Sequence, residues 1–361
     1  MISISITNEM LRRIVAIESC KLRFAGDTMP VSVSARLRKI SRKKSTFASN
    51  AIEGNPLSEA QANEAIESTS RHFLKPEEEI RNYYLALEML DECLAEGRPF
   101  SKALVLEVQK LIVKGESAEK TGLRGPMPPG LLFAVYDSQT GRPEYIPPEA
   151  SEVEPLLDEL VRYVEESDDH PLVKAGVIHY QLVTIHPFED GNGRTARIMS
   201  GYYLGLSGFG FGGIGSLDEY FAYDASEYYR SLQMGLPALY YQGRCDPPHP
   251  EIWMEYFLRM VELYARKASD LASAATSEAA AASLSHLKPR ERAFYEHLVE
   301  QGVESFAPVD MARVFGVSNR TIINWSAALA ANGLLEPVLV KQRIRSYKTV
   351  FPGKPLEADE W

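Results

Sequence analysis

The run His186-Pro187-Phe188-Glu189-Asp190-Gly191-Asn192-Gly193-Arg194-Thr195-Ala196-Arg197 constrains this chain more than any other stretch. Apolar residues bracket it at helical spacing: Leu172, Val173, Val177, Ile178, Leu182 and Ile185 before it, Ile198, Met199, Tyr202 and Leu206 after it. The pattern predicts two helices joined by a short loop whose glycines let backbone N–H groups close on a ligand. A loop that opens a helix is an anion site, because unpaired N–H groups and the helix dipole both favour negative charge. Arg194 and Arg197 add planar, permanently charged forks suited to phosphate oxygens. Asp190 is the single carboxylate that Mg²⁺ commonly takes when phosphate and water complete its shell. His186 can accept a proton near neutral pH. Taken singly, each part has a plain structural reading: a histidine ending a helix, an acidic Gly-Asn-Gly surface turn. Together they describe phosphate-transfer chemistry on a nucleotide.

The run resembles the H-x-F-x-[DE]-G-N-G-R-x-x-R signature of the Fic (Fido) family, with every specified position matched. The resemblance implies transfer of AMP from ATP·Mg²⁺ to a hydroxyl side chain (Tyr, Ser or Thr) of a target protein or of the enzyme itself. It assigns His186 to deprotonating that hydroxyl and Asp190 to the metal. Gly191, Asn192 and Gly193 would form the anion hole, and Arg194 and Arg197 would hold the β- and γ-phosphates. Thr195 and Ala196 belong to the same nucleotide-binding turn, while Phe188 would anchor the loop in the core. A kinase-like branch of the family carries lysine at the second glycine; Gly193 is intact here, which favours AMP transfer and leaves another nucleoside monophosphate open.

Ser49-Asn50-Ala51-Ile52-Glu53-Gly54 resembles the family's [ST]-x-x-x-E-[GN] inhibitory motif, placed N-terminal to the catalytic run. The same residues read as a helix C-cap, since Glu-Gly-Asn-Pro is a good helix stop. On the family reading Ser49, Glu53 and Gly54 end an inhibitory helix, and Glu53 pairs with Arg197 so that ATP binds unproductively. A partner, a second copy in a homodimer or self-modification would then release it. The same glutamate could instead position water for removal of AMP, and the sequence does not separate the two roles.

The segments Leu131–Tyr136 and Glu144–Ile146 flank a Thr-Gly turn signal and predict a β-hairpin. The resemblance makes residues 131–146 the flap that holds a target protein segment by strand addition. Tyr228 and Tyr229 are candidates to contact adenine, although Tyr-Asp-Ala-Ser stands where the family often has Asn-Arg ahead of the tyrosine pair. The glycine-rich run 208–215 lacks the Lys-Ser/Thr of a phosphate loop and reads as a connector or a site of close helix packing.

The expected fold is mainly α: a Fic-type helical bundle with a small β-hairpin flap, plus a C-terminal winged helix-turn-helix. Glu77–Leu94 places Ile80, Tyr83, Leu87, Leu90 and Leu94 on one stripe, and the basic run Arg36–Lys44 reads as a solvated helix face. The organisation expected is an N-terminal helical region with the inhibitory motif at 1–100, a catalytic domain at 101–265, an Ala/Ser-rich linker at 266–286 and a winged helix at 287–352. In the last, Gly316 and Ser318 supply a turn between helices. Arg313, Arg320, Lys341, Arg343, Arg345 and Lys348 outnumber Asp310 and Glu336 between residues 305 and 350. DNA is therefore one candidate partner, with Asn319, Arg320 and Asn324 on the recognition helix, and a protein-interaction module is the other. An ATP-sensing DNA-binding regulator is the alternative from a different class, but such a sensor would have no need of the base His186.

Composition adds limits. The 361 residues carry a net charge of −10, which argues against a general nucleic-acid coat. No stretch approaches the ~20 apolar residues of a membrane span, and the N-terminus lacks the features of a signal peptide. Cys20, Cys93 and Cys245 are scattered without metal spacing, so a reducing cytoplasm is the expected location.

Overall fold

The computed structural model describes residues 2–27, 29–70, 72–131, 133–136, 143–237, 247–340 and 343–350. Among them the chain is mainly helical. The helices are α1 (Asn8–Gly26), α2 (Val31–Ile52), α3 (Glu59–Glu67), α4 (Lys75–Ala95), α5 (Lys102–Ile112), α6 (Ala150–Glu166), α7 (Pro171–Ile185), α8 (Asn192–Leu206), α9 (Asp218–Tyr223), α10 (Ala225–Gln233), α11 (Pro250–Ser285), α12 (Pro289–Glu300), α13 (Pro308–Phe315) and α14 (Asn319–Ala331). The strands are β1 (Val135–Tyr136), β2 (Pro143–Tyr145), β3 (Ser305–Phe306), β4 (Leu335–Val340) and β5 (Arg343–Thr349). The chain divides into two compact units, one of residues 1–21 and 35–269, the other of 22–34 and 270–361.

The larger unit is built around α7. Almost every residue of this helix is buried, His179 and Lys174 included, so it is apolar on all sides and sits at the centre of a bundle. The Lys174 ammonium donates to the Val164 carbonyl at 3.0 Å, which keeps that charge from being stranded. Ile178, Leu182 and Ile185 of α7 join Ile198 and Met199 of α8, Tyr83 and Leu90 of α4, Val108 and Ile112 of α5, and Leu157 and Leu160 of α6 in one core. The α4 stripe is thus buried against α5–α8. For that reason the boundary expected at residue 100 does not separate compact units: α3, α4 and most of α2 belong to the same body as α5–α8.

The basic run on α2 is only partly the solvated face that was expected. Arg42 pairs with Glu88 at 2.8 Å and with Asp91, Lys43 with Glu67 at 2.6 Å, and Lys44 with Glu219 at 2.9 Å. Such half-exposed pairs are each worth about 0–1 kcal/mol, and three on consecutive positions pin the register of α2 against α3, α4 and α9.

The hairpin is present but shorter than expected, with β1 antiparallel to β2 and Val135 opposite Tyr145. Leu132 and the turn 137–142 lie outside the described residues. The glycine-rich run is a close-packed corner: a Cβ on Gly210 would come within 2.8 Å of the Gly205 Cα, and one on Gly215 within 3.0 Å of the Tyr264 ring. The expected linker 266–286 is instead the C-terminal half of α11, consistent with the helix preference of alanine.

The smaller unit carries its own core of Phe294, Leu298, Phe306, Ile322, Leu329 and Tyr347. Its sheet has the order β3-β5-β4, all antiparallel, with Pro337 opposite Tyr347. Gly316 ends α13 at φ 62°, and the Ser318 hydroxyl caps α14 by accepting from Thr321 N. Helix, strand, two helices and a strand pair follow the order of a winged helix. Lys341, one of the basic residues counted there, lies outside the described residues, as does Cys245. Cys20 and Cys93 are buried. No described helix is long and apolar enough to cross a membrane.

Candidate active site

The loop between α7 and α8 is held from below by residues that do no chemistry. Phe188 is completely buried. The Asn192 side chain accepts from Phe188 N at 3.0 Å and donates to Phe188 O at 2.8 Å. Its amide is therefore consumed in closing the loop, and only its backbone faces outward to a ligand. Gln109 of α5 donates to the Asp190 carbonyl at 3.1 Å and accepts from Gly122 N at 3.0 Å. Leu123 makes a single β-bridge to Phe188. Gly191 sits at φ 84°, where a Cβ would come within 3.2 Å of the Val113 side chain, a conformation that glycine alone adopts without cost. This turn points the first N–H groups of α8 into the concavity of the loop.

His186 ends α7 in the left-handed region, φ 49° and ψ 60°. A non-glycine residue there carries strain of about 1–3 kcal/mol, persisting only where its surroundings impose it. Those surroundings are named: Arg124 Nε donates to the His186 carbonyl at 2.7 Å, and its Nη2 donates to the Pro148 carbonyl. The Arg124 guanidinium also lies over the Phe133 ring, 4.9 Å from its centre. The imidazole lies beside the Phe133 and Tyr145 rings, so both ends of the hairpin frame it. Nδ1 lies 3.3 Å from the Val183 carbonyl. A proton on Nδ1 leaves the lone pair on Nε2. Burial pushes this imidazole down to about 4, which keeps it neutral and able to accept a proton.

Asp190 faces two cations, Arg194 Nη2 at 3.1 Å and Lys120 Nζ at 3.3 Å. Burial alone would raise its carboxyl, but the Arg194 charge and the Lys120 ammonium outweigh it and hold the group below its ordinary value. The described residues contain no cluster of three or more His, Cys, Asp or Glu side chains that could cage a metal. One ionised carboxylate beside a phosphate cradle fits Mg²⁺, which supplements one or two carboxylates with phosphate and water.

Arg197 is 3% exposed and is claimed from the far side of the sequence. Its Nε donates to Ser49 Oγ at 2.8 Å, and its Nη2 donates to Ser49 O at 2.9 Å and to Glu53 Oε1 at 2.7 Å. The Glu53 carboxylate lies so close over Gly193 that a Cβ there would overlap Oε1. Burial works against the Arg197 charge, but Glu53 restores it and the guanidinium stays protonated. Gly54, at φ 81°, stops α2 immediately after the glutamate. Arg194 Nε, Arg197 Nη1 and Thr195 Oγ1 are buried without a hydrogen-bond partner among the described residues. Ala196 is buried in the core and contributes backbone alone.

The tyrosine pair divides. Tyr228 is 1% exposed, its ring is enclosed by those of Phe221, Trp253 and Tyr256, and its hydroxyl lies 3.2 Å from His179 Nε2. It cannot offer a face to adenine, so its assignment as a base contact is corrected to a core role. Tyr229 is 42% exposed and reaches the Ile52 carbonyl at 3.4 Å, at the end of α2.

Four residues at the site had no assigned role in the sequence reading. Gln109 and Lys120 carry no motif and are found only through the fold. Arg124 belongs to the short Gly-Leu-Arg run before the hairpin, which does not mark it as the brace of His186. Asp218, buried 3.7 Å from Arg197 Nε, leaves little trace in the sequence: an acid beside Glu219 in the first turn of a helix.

The Fic/DOC family matches residues 99–204, which span α5 to α8 and contain the whole His186–Arg197 loop. The chain carries a Fic domain. Ser49, Glu53, Tyr228 and Tyr229 lie outside the matched segment of the Fic domain. Among relatives, the chain is 27% identical over 166 residues to the protein adenylyltransferase Fic of Nematostella vectensis, covering 45% of this chain and 37% of that protein. It is 24% identical over 204 residues to the protein of the same name from Drosophila grimshawi, covering 55% and 40%. The chain therefore spans about two fifths of the length of these curated relatives. A Fic family protein from Desulfovibrio desulfuricans G20 aligns over 97% of this chain and 98% of its own, with TM-score 0.57 and 20% identity. A Fic domain containing signaling protein from Bacteroides thetaiotaomicron VPI-5482 gives TM-score 0.57 at 19% identity over 75% of this chain. At these identities the two structures show a shared fold.

Proposed function

We infer that this chain is a protein adenylyltransferase that moves AMP from ATP to a hydroxyl side chain of a target protein or of itself, held in check by Glu53. The observation that carries the reading is the set of buried donors left without partners among the described residues beside the first turn of α8: Arg194 Nε, Arg197 Nη1 and Thr195 Oγ1. Buried donors of this kind cost free energy unless a ligand satisfies them, and a triphosphate supplies acceptors at that place. The naming of relatives as protein adenylyltransferases supports AMP as the group moved. Mg²⁺ bound at Asp190 would neutralise charge on the phosphates.

The chemistry then needs few protein groups. The α8 N-terminus with Arg194 and Arg197 seats the β- and γ-phosphates. His186 Nε2 takes the proton of the incoming hydroxyl as its oxygen attacks the α-phosphorus, and pyrophosphate leaves with the bonding pair. The hairpin beside His186 offers an edge along which a target segment can lie. While Glu53 occupies Arg197, the γ-phosphate lacks that arginine and the α-phosphorus is not presented to His186.

The test uses ATP labelled at either the α- or the γ-phosphate, with Mg²⁺ and the Glu53→Gly protein. Label from the α-position becomes protein-bound and His186→Ala abolishes it; label arriving from the γ-position overturns the reading.

The smaller unit supports a second, separate role. Asn319, Arg320 and Asn324 are exposed on α14, as are Arg343, Arg345 and Lys348 on β5. Leu339, Val340 and Ile344 are exposed on the same strand pair. These exposed basic and apolar groups suit a protein partner or a DNA backbone. Binding to duplex DNA that weakens as salt rises supports the phosphate contact set, and no binding at low salt assigns these groups to protein.

A further inference from the structure

Behind the candidate active site lies a cavity of about 350 Å³, inside the larger unit, which meets the phosphate cradle only at Arg197. It runs along α2 past Arg38, Ser41, Arg42 and Ser45, one helical face at i, i+3, i+4 and i+7. Across from them, α8 contributes Ile198, Gly201 and Gly205, and α4 contributes Leu87, Leu90 and Leu94. The glycine-rich corner closes it, with Ser41 Oγ accepting from Gly215 N at 2.8 Å and Ser45 Oγ donating to Ser216 Oγ at 2.8 Å. Arg197 and Asp218, both buried, form one wall.

Three features point to a ligand. The volume falls in the range of small-molecule sites, roughly 300–1,000 Å³. Gly201 sits inside α8 where a Cβ would meet nothing within 4 Å. Helix interiors disfavour glycine, and here it leaves a floor open that alanine would begin to fill. The polar atoms of Ser41 and Ser45 are already paired with the glycine corner, and Arg42 with Glu88 and Asp91. Arg38 is different: it is exposed, makes no ion pair among the described residues, and has its stem against Gly213. Helical rise places it roughly 16 Å from Ser49 along α2, at the end of the cavity away from Arg197. An occupant should therefore be apolar along its length, with one anionic end.

We propose that this cavity binds a small apolar monocarboxylate, its acid group at Arg38 and its body along Gly201, Leu90 and Leu94, and that occupancy holds α2 where Glu53 meets Arg197. The second clause rests on the inhibitory reading above. A ligand favours the state that contains its site, and the cavity is formed here with Glu53 already on Arg197. Bound ligand is thus an inhibitor acting through α2, its acid group at the end of the cavity away from Arg197.

Ligand-detected NMR on the full chain with hexanoate, octanoate and decanoate tests the site directly, without reference to activity. Affinity should rise about fourfold per added methylene until the cavity is full. Octanamide should bind more weakly than octanoate, and Arg38→Gln should remove that difference. Gly201→Leu should abolish binding, and the milder Gly201→Ala should weaken it with the fold retained. Equal affinity for wild type and both Gly201 variants, or no binding by wild type, overturns the site. With binding established, octanoate should lower AMP transfer by wild type and leave Glu53→Gly unaffected. Inhibition of both proteins alike, or of neither, overturns the coupling. If instead Glu53→Gly and wild type transfer AMP equally without ligand, the inhibitory reading fails while the NMR result on the site stands.

Discussion

Arg197 and Glu53 are separated by 144 residues of chain and by 2.7 Å in space. The contact joins a helix that precedes the Fic domain to the last residue of its signature loop. Ser49, one turn before Glu53, grips the same guanidinium through its hydroxyl and its carbonyl. Three hydrogen bonds from one buried side chain therefore converge on the last turn of α2 and the residue after it.

Glu53→Gly is expected to raise AMP transfer roughly tenfold, and no more than about a hundredfold. A hydrogen bond to a charged group contributes about 1.5–3 kcal/mol, and the Glu53 side chain is 34% exposed, so solvent screening favours the lower end. Ser49→Ala removes a bond to Nε and should give a smaller rise in the same direction. Quantifying protein-bound label from α-labelled ATP in the three proteins checks the order, and a Ser49→Ala protein more active than Glu53→Gly would contradict it.

The His186 ring should stay neutral down to a pH of about 4 in the nucleotide-free protein. Its folded value lies below the roughly 6.5 of an unfolded chain, so folding favours the neutral form. The associated stability is fully present above pH ~6.5 and is lost as pH falls from there toward 4. Buried His179, pushed down by burial and by the Arg197 charge, acts in the same direction. An NMR titration of the His186 ring protons, with urea midpoints measured across the same window, tests both statements; a ring that titrates near its ordinary value refutes the first.

The loop was legible because its residues are contiguous: His186 to Arg197 together suggest phosphate chemistry, the resemblance assigns each a role, and α7 and α8 announce themselves by period. What could not be read is where distant segments meet. Lys120 reaches Asp190 across 70 residues, and Asp218 comes beside Arg197 only once α9 is packed. The resemblance supplied Glu53, yet nothing local in Ser49–Gly54 distinguishes a helix stop from a brake. The Tyr228–Tyr229 pair shows the same limit: adjacent and chemically identical, they face different ways on α10, and only the surrounding rings decide which is core.

That division gives a paired prediction. Tyr229→Ala should raise the KM for ATP severalfold with little change in melting temperature, because its ring is the exposed member beside Ile52. Tyr228→Phe should destabilise the protein by about 1 kcal/mol, the usual worth of one buried hydrogen bond, and leave the KM unchanged. Thermal melts and ATP titrations on both variants separate the roles, and an unchanged KM in Tyr229→Ala would remove that residue from the base site.

Gly201→Ala should stabilise the chain. The residue lies in the middle of α8, where glycine costs about 0.8–1.0 kcal/mol relative to alanine. That cost is normally left in place because a methyl group would clash, as it would at Gly205, where a Cβ would come within 3.1 Å of the Leu94 side chain. At Gly201 a Cβ meets nothing within 4 Å. The helix gain is therefore unopposed by overpacking, and the methyl group also buries a little apolar surface in the cavity behind α2. A gain of about 1 kcal/mol corresponds to a rise of roughly 2–4 °C in the melting temperature for a unit of this size. Gly205→Ala, the internal control four residues away, should gain less than Gly201→Ala because the Leu94 side chain must give way. Scanning calorimetry on the two variants decides the matter, and a Gly201→Ala protein that melts below wild type would mean the floor of the cavity is filled.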